Sequence, residues 1–134
     1  MTSVLVDSNV ILDVLTRDAA WESRSSRALL DAANRHRLVI NVIIYAEVSV
    51  GFSRVEEFES VLPPVLEREP IPYRAAFLAG KVFSLYRRRS GTKISPLPDF
   101  FIGAHAAVCG YALLTRDTSL YQTYFPNLSL ITPQ

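Results

Sequence analysis

A single cysteine, Cys109, leaves this chain of 134 residues without the means for an internal disulfide or a cysteine-rich zinc site. An excess of one charge sign is missing as well. The 14 Lys and Arg against 13 Asp and Glu give a net charge of +1, so no global field favours nucleic acid or a membrane surface. No apolar run approaches the roughly 20 residues of a membrane span. The opening Met1-Thr2-Ser3-Val4-Leu5-Val6-Asp7 carries no basic segment before its apolar stretch and meets an acid at once, unlike a signal peptide. Internal repeats, low-complexity tracts and interdomain linkers are absent from the sequence too. What is present is apolar content: 49% of the residues are hydrophobic and 20% charged, enough for a packed core and too apolar for intrinsic disorder. The expectation is one soluble, cytoplasmic domain over residues 1–134.

Short β-branched runs alternate with helical patterns. Val4-Leu5-Val6 and Leu38-Val39-Ile40 are too brief for helices and suit buried strands. After Asp7 or Ser8, either of which can cap a helix, Val10, Ile11, Val14 and Leu15 recur at helical spacing. Further helices are expected over about Trp21 to Arg35, with Ala28, Leu29, Ala32 and Ala33 on one face, and over Ile43 to Phe52, ending near Gly51. Val55 to Leu62 follows as another and stops at Pro63-Pro64. Pro70-Ile71-Pro72 is a candidate edge strand. Tyr73 to Arg89 reads as a longer helix with Ala76, Phe77, Val82, Phe83 and Tyr86 among its candidate core residues. Ser90 to Leu97 reads as a loop. Pro98 suits a first helical turn, and that helix runs to about Val108 and stops near Gly110. Tyr111 to Leu114 is a strand, a short helix surrounds Leu120, and Leu128 to Ile131 is a last strand. Strands alternating with helices give an α/β architecture of three layers, a central, mainly parallel sheet flanked by helices.

In an open parallel sheet, ligands bind outside the carboxyl ends of the strands. Asp7 follows the first strand, and Asp117 lies three residues past Leu114. Asp99 stands in a first helical turn, where the dipole favours a negative charge by roughly 0.3–1 kcal/mol. Glu47 interrupts the nearly apolar Ile43-Ile44-Tyr45-Ala46-Glu47-Val48-Ser49-Val50, and such a carboxylate is rarely buried unless paired or ligating a metal. Singly, each of the three aspartates has an ordinary explanation: Asp7 as a helix cap, Asp99 as first-turn chemistry, Asp117 as a turn residue. Jointly, four carboxylates at one sheet edge would repel one another by several kcal/mol at an effective dielectric of roughly 20. Divalent cations remove that repulsion, and oxygen ligands without Cys or His point to Mg²⁺ or Mn²⁺.

These residues also match a family. Val4-Leu5-Val6-Asp7-Ser8-Asn9-Val10-Ile11-Leu12 resembles the opening of PIN domains, a strand running into Asp-x-Asn. Ile44-Tyr45-Ala46-Glu47-Val48 resembles their second acidic motif. Pro98-Asp99-Phe100-Phe101-Ile102-Gly103-Ala104-His105-Ala106 resembles the third, and Leu113-Leu114-Thr115-Arg116-Asp117 the fourth. Their order and spacing fit, and Phe125 to Pro133 is similar to the family's last strand. Small PIN proteins of this length are most similar to the VapC toxins of toxin–antitoxin pairs. The resemblance implies metal-dependent endonucleolytic cleavage of RNA, a VapB-like antitoxin that occludes the site, and a homodimer. It also marks Asn9 and Thr115 as polar supports of the metal site.

Phosphodiester hydrolysis needs an activated water, in-line geometry and charge neutralisation, which one or two Mg²⁺ ions, or Mn²⁺ in their place, supply. In the reading adopted here Asp7 and Asp99 bind the principal ion and Asp117 binds it or a second one. Glu47 ligates through water or orients the attacking water, and Asn9 and Thr115 fix the carboxylates. Between Pro70 and Pro98 there is no acid but six cations, of which Arg87, Arg88, Arg89 and Lys93 precede Asp99 and are candidate RNA-phosphate contacts; Arg116 is another. A solvated helix end explains the arginine cluster equally well. His105, among alanines, reads as a satisfied core or interface histidine, His36 as part of a charged turn and Cys109 as a small core residue. Trp21 and Phe52 suit core or interface. The alternatives are a PIN nuclease of RNA processing without an antitoxin and a metal- or RNA-binding module that does not cut. An aspartyl-phosphate phosphatase fits poorly, since Asp7-Ser8-Asn9 lacks the second aspartate two residues on.

Overall fold

The computed structural model describes residues 2–89 and 97–134. The elements run β1 (Ser3–Val6), α1 (Ser8–Leu15), α2 (Glu22–Arg35), β2 (Arg37–Ile40), α3 (Val42–Ser49), α4 (Val55–Val61) and β3 (Leu66–Arg68). They continue with α5 (Tyr73–Arg88), α6 (Leu97–Cys109), β4 (Ala112–Leu114), α7 (Ser119–Tyr124) and β5 (Leu130–Ile131). The sheet order is β3-β2-β1-β4-β5, and every pairing is parallel, beyond the mainly parallel sheet expected. Val4, Leu5, Val6, Val39, Leu113 and Leu114 have no exposed surface, as central strands require when helices cover both faces.

The strand order decides where chemistry can collect. From β1 the chain moves to β2 and β3 on one side, then crosses back to place β4 on the other side of β1. That reversal opens a crevice between the carboxyl ends of β1 and β4. The residues leaving these strands are Asp7 and Thr115, brought level by the pairing of Val6 with Leu114.

Several elements depart from the sequence reading. The third strand is Leu66–Arg68, not Pro70-Ile71-Pro72. Both prolines lack the N–H that a ladder requires, and Glu69 N–H, donating to Ile40 O at 3.0 Å, is the last sheet contact. In α5 the buried positions are Ala75 and Ala79, whereas Phe77 is 68% exposed. The small residues let α5 lie close on α6, and Lys81 Nζ sits 5.0 Å above the Phe77 ring instead. Helix α3 ends at Ser49, before Gly51, the last strand shortens to Leu130–Ile131, and Cys109 is half-buried at the end of α6. Gly103, in the middle of α6, is required by packing, since a Cβ there would stand 2.6 Å from the ring of Phe125. The expected loop over Ser90 to Leu97 lies almost wholly outside the described residues.

Candidate active site

Asp7 is the N-cap of α1 and 3% exposed. Its Oδ1 accepts the Ser8 N–H at 2.7 Å. Its Oδ2 accepts the hydroxyls of Thr115 at 2.8 Å and Tyr121 at 3.1 Å, with the Asn9 amide at 3.5 Å. Burial nevertheless pushes its pKa above the usual carboxylate range, outweighing these hydrogen bonds. Asp7 thus both caps α1 and faces the crevice.

Glu47, on α3, is half-buried and accepts the Ser8 hydroxyl at 2.8 Å. Desolvation and the nearby charge of Asp7 raise its pKa. Asp99, in the first turn of α6, accepts no hydrogen bond from the described side chains, and its pKa is pushed up to about 7. Burial is the largest cause, followed by repulsion from Asp7, Glu47 and Asp117. Asp117 is exposed; its N–H donates to Thr115 Oγ1 at 3.1 Å and its carboxylate accepts from Ser119 at 3.3 Å. Four acids from four separate segments therefore act on one another across the β1/β4 crevice. Asn9 spans the same gap, its Nδ2 on Thr115 at 3.3 Å and its Oδ1 accepting the Arg116 N–H at 3.1 Å.

Two residues at this site escaped the sequence reading. Ser8 bridges Asp7 and Glu47, and Tyr121 is a fully buried phenol aimed at Asp7, its own pKa raised by burial and the adjacent acids. The only available signal for Tyr121 was its place one helical turn beyond Asp117.

The cations are spread around this edge. Arg87, Arg88 and Arg89 are exposed at the end of α5. The guanidinium of Arg89 lies 5.9 Å from the Tyr124 ring, which meets Phe100 edge-on at 5.4 Å, next to Asp99. Arg116 has an intramolecular partner that the sequence does not announce: its Nη2 pairs with buried Asp13 at 2.9 Å, and its guanidinium covers Trp21 at 5.0 Å. Ser25 donates to the other Asp13 oxygen at 2.7 Å. Lys93 lies outside the described residues.

The donor set of the four acids is all oxygen, and the repulsion centred on Asp99 is what a hard divalent cation relieves, so the residues fit a Mg²⁺ or Mn²⁺ site. Among the described residues, the trio whose ligating atoms lie within 4.8 Å of one another is a different one, Glu69, His105 and Cys109. Its hydrogen bonds identify it as part of a closed network. Asn41 Oδ1 accepts the Ile44 N–H at 3.0 Å, so its Nδ2 faces His105 Nδ1 at 3.0 Å and His105 carries its proton on Nε2, toward Glu69 at 3.3 Å. Glu69 also accepts from Tyr111 at 2.7 Å and from Arg37 at 3.1 Å. A metal at His105 Nε2 would have to displace that proton and break this set.

The chain belongs to the PIN-domain family, whose model matches residues 4–126. No curated protein matches it. Solved structures share its fold at low identity. A VapBC2 complex from Rickettsia felis bound to promoter DNA is 17% identical with a TM-score of 0.77, covering 98% of this chain and 99% of that one. A DNA-bound VapBC from Salmonella typhimurium is 18% identical with a TM-score of 0.74 over all of both chains. A toxin–antitoxin complex from Klebsiella pneumoniae is 22% identical with a TM-score of 0.71, covering 98% of each. Among the described residues no helix is long and apolar enough to cross a membrane.

Proposed function

We propose that this protein is a divalent-metal-dependent endoribonuclease and the toxin of a toxin–antitoxin pair. The observation that carries the nuclease reading is the convergence of Asp7, Glu47, Asp99 and Asp117 on one crevice, where burial first and the other three acids second push Asp99 up to about 7. Membership of the PIN family supports it, and structural likeness to chains of toxin–antitoxin complexes supports the antitoxin partner.

When bound, Mg²⁺ or Mn²⁺ supplies Lewis-acid activation of water and neutralises charge on the scissile phosphate. The chain's own residues hold the geometry. Asp7 is fixed by Ser8, Thr115 and Tyr121, so its carboxylate does not reorganise during the reaction. Asp99 and Asp117 complete the ion-binding set. Glu47, half-buried and held by the Ser8 hydroxyl, has the raised proton affinity suited to orienting the attacking water and taking its proton. Water attacks phosphorus, the phosphodiester oxygen departs, and that oxygen takes up a proton. Asn9 and Thr115 keep Asp7 and Asp117 in register. Arg87, Arg88 and Arg89 contact RNA phosphates, as does the exposed part of Arg116.

The test is cleavage of mixed structured RNAs by the purified protein with Mg²⁺ or Mn²⁺, beside EDTA and Asp7→Ala controls. Cleavage lost in both controls is the expected result. Activity that survives either control overturns the site assignment.

A further inference from the structure

The network beneath α6 joins the two helices that deliver Glu47 and Asp99. Asn41 stands six residues before Glu47 and caps α3; His105 stands six residues after Asp99 on α6. Six helical residues span about 9 Å. Helices α3 and α6 are in contact, Asn41 meets His105, and Ser8, just past the carboxyl end of β1, holds Glu47 at the edge opposite the one where α6 runs into β4. Only an antiparallel pair satisfies all three. The Asn41–His105 hydrogen bond is then one rung of this pair, and the meeting of the two acids is the other.

We infer that His105, through its Nδ1 acceptor on Asn41, is a positioning residue that sets Glu47 against Asp99. The inference rests on the nuclease reading above and adds to it a residue that touches neither RNA nor any of the four acids. Three features support it. Asn41 is 2% exposed and His105 has no exposed surface, so neither bond is exchanged for water. The direction of the Asn41 amide is fixed, because its oxygen is used by the Ile44 N–H in capping α3. The far side of the imidazole is held as well, by a Glu69 that Arg37 and Tyr111 keep in place from β2 and the entry to β4. The rung thus connects α3 and α6 to the sheet itself. A slide of α3 along α6 would break it before Glu47 could leave the crevice.

Three variants separate this role from plain packing. Asn41→Ser still caps α3 but is too short to reach His105. His105→Gln places an amide where Nε2 was and leaves Asn41 without its acceptor. His105→Asn places an amide where Nδ1 was, and its oxygen accepts from Asn41. The folded variants, compared by thermal unfolding, are assayed for Mn²⁺ affinity and for RNA cleavage with KM and kcat separated. Asn41→Ser and His105→Gln are expected to lose Mn²⁺ affinity and kcat by roughly 10–100-fold with KM little changed, and His105→Asn to recover most of both. Equal losses in His105→Asn and His105→Gln, or losses that follow melting temperature alone, overturn the positioning role. So does Asn41→Ser at wild-type affinity and rate. A wild-type chain that binds Mn²⁺ and does not cut RNA overturns the nuclease reading, while the ranking of Mn²⁺ affinities still decides the rung; a wild-type chain that binds no Mn²⁺ removes both.

Discussion

Helix α6 carries two clusters of ionisable groups that solve opposite problems. At its start, Asp99 faces three other acids, with no described donor to its carboxylate and a pKa of about 7. Two turns on, His105 sits in a network where each charged or polar group meets a partner, and no buried side-chain nitrogen or oxygen among the described residues lacks one. The first cluster is destabilising by itself, a cost that the proposed cation would offset; the second holds the scaffold. Ion-binding potential and structural stability are therefore read from the sign of the unmet interaction, not from the number of charges.

Changing Asp99 should separate the two clusters most sharply. Asp99→Asn removes the repulsion and a proposed metal ligand, so cleavage should fall roughly 1000-fold while the fold gains stability. Three pKa units correspond to about 4 kcal/mol unscreened; with the site open to water a gain of about 1–2 kcal/mol is expected in urea unfolding at pH 8 in EDTA. A variant that loses both activity and stability contradicts the comparison.

The pH dependence in EDTA should split the same way. Asp99 rises from 3.8 to about 7 on folding, so its favourable contribution is full below pH 3.8 and is lost as pH climbs through 7. His105 is lowered from 6.5, chiefly by burial, so its contribution is full above pH 6.5 and is lost as pH falls through its folded value. Asp99→Asn should lessen the loss of stability toward base, to which the raised Asp7 and Glu47 still contribute, and His105→Asn should lessen the loss toward acid. Mg²⁺ at 100 times its Kd should add about 2.7 kcal/mol to the wild type at pH 8, and much less to Asp99→Asn. Urea midpoints at pH 5 and 8 with and without the ion decide this.

Between the two clusters lies Gly103. An added methyl would meet the Phe125 ring at 2.6 Å, so Gly103→Ala should lower stability by about 1–3 kcal/mol. Because the strain falls between the acid edge and the rung, kcat should drop further than in a surface variant of equal melting temperature. An unchanged kcat at reduced stability would show that the clusters do not depend on the line of α6.

Much of this was legible because the signals are local. Val4–Val6 and Leu38–Ile40 declare buried parallel strands, and a carboxylate directly after a strand or in a first helical turn declares its place at the sheet edge. Asp7 and Asp99 could be placed without coordinates for that reason, Glu47 because it interrupts an apolar helix, and Asp117 because it follows a strand by three residues. Tyr121 and Ser8 were invisible, since a hydroxyl's choice of carboxylate is settled by tertiary contact across as many as 114 residues. The same holds for Arg116, whose partner Asp13 lies 103 residues away on α1. The third strand was misplaced because Leu-Glu-Arg buries only its leucine and carries no periodic signal at an edge. Phe77 misled in the other direction: the face of α5 that meets α6 is chosen by small Ala75 and Ala79, which permit close approach, not by the largest apolar residue.

The smallest expected effect is also the control for the largest. Helix α1 begins at the acid edge and ends at Leu15, two residues before Arg17, whose φ of 54° is left-handed. The Arg17 N–H donates to Val14 O at 3.3 Å and the Asp18 N–H to Asp13 O at 3.0 Å, the paired bonds of a helix end that ordinarily uses glycine. Arg17→Gly removes the Cβ strain, set against a larger unfolded-state entropy, for a net gain of about 0.5–1 kcal/mol. Both this variant and Asp99→Asn should raise the urea midpoint, but only Arg17→Gly should keep the wild-type kcat. Strain at a helix end and repulsion at the acid edge are both locally unfavourable; the retained or lost rate tells which of them the reaction uses. If Arg17→Gly also lost activity, stability and turnover would be coupled throughout α1, and the acid edge would no longer stand apart from the scaffold that presents it.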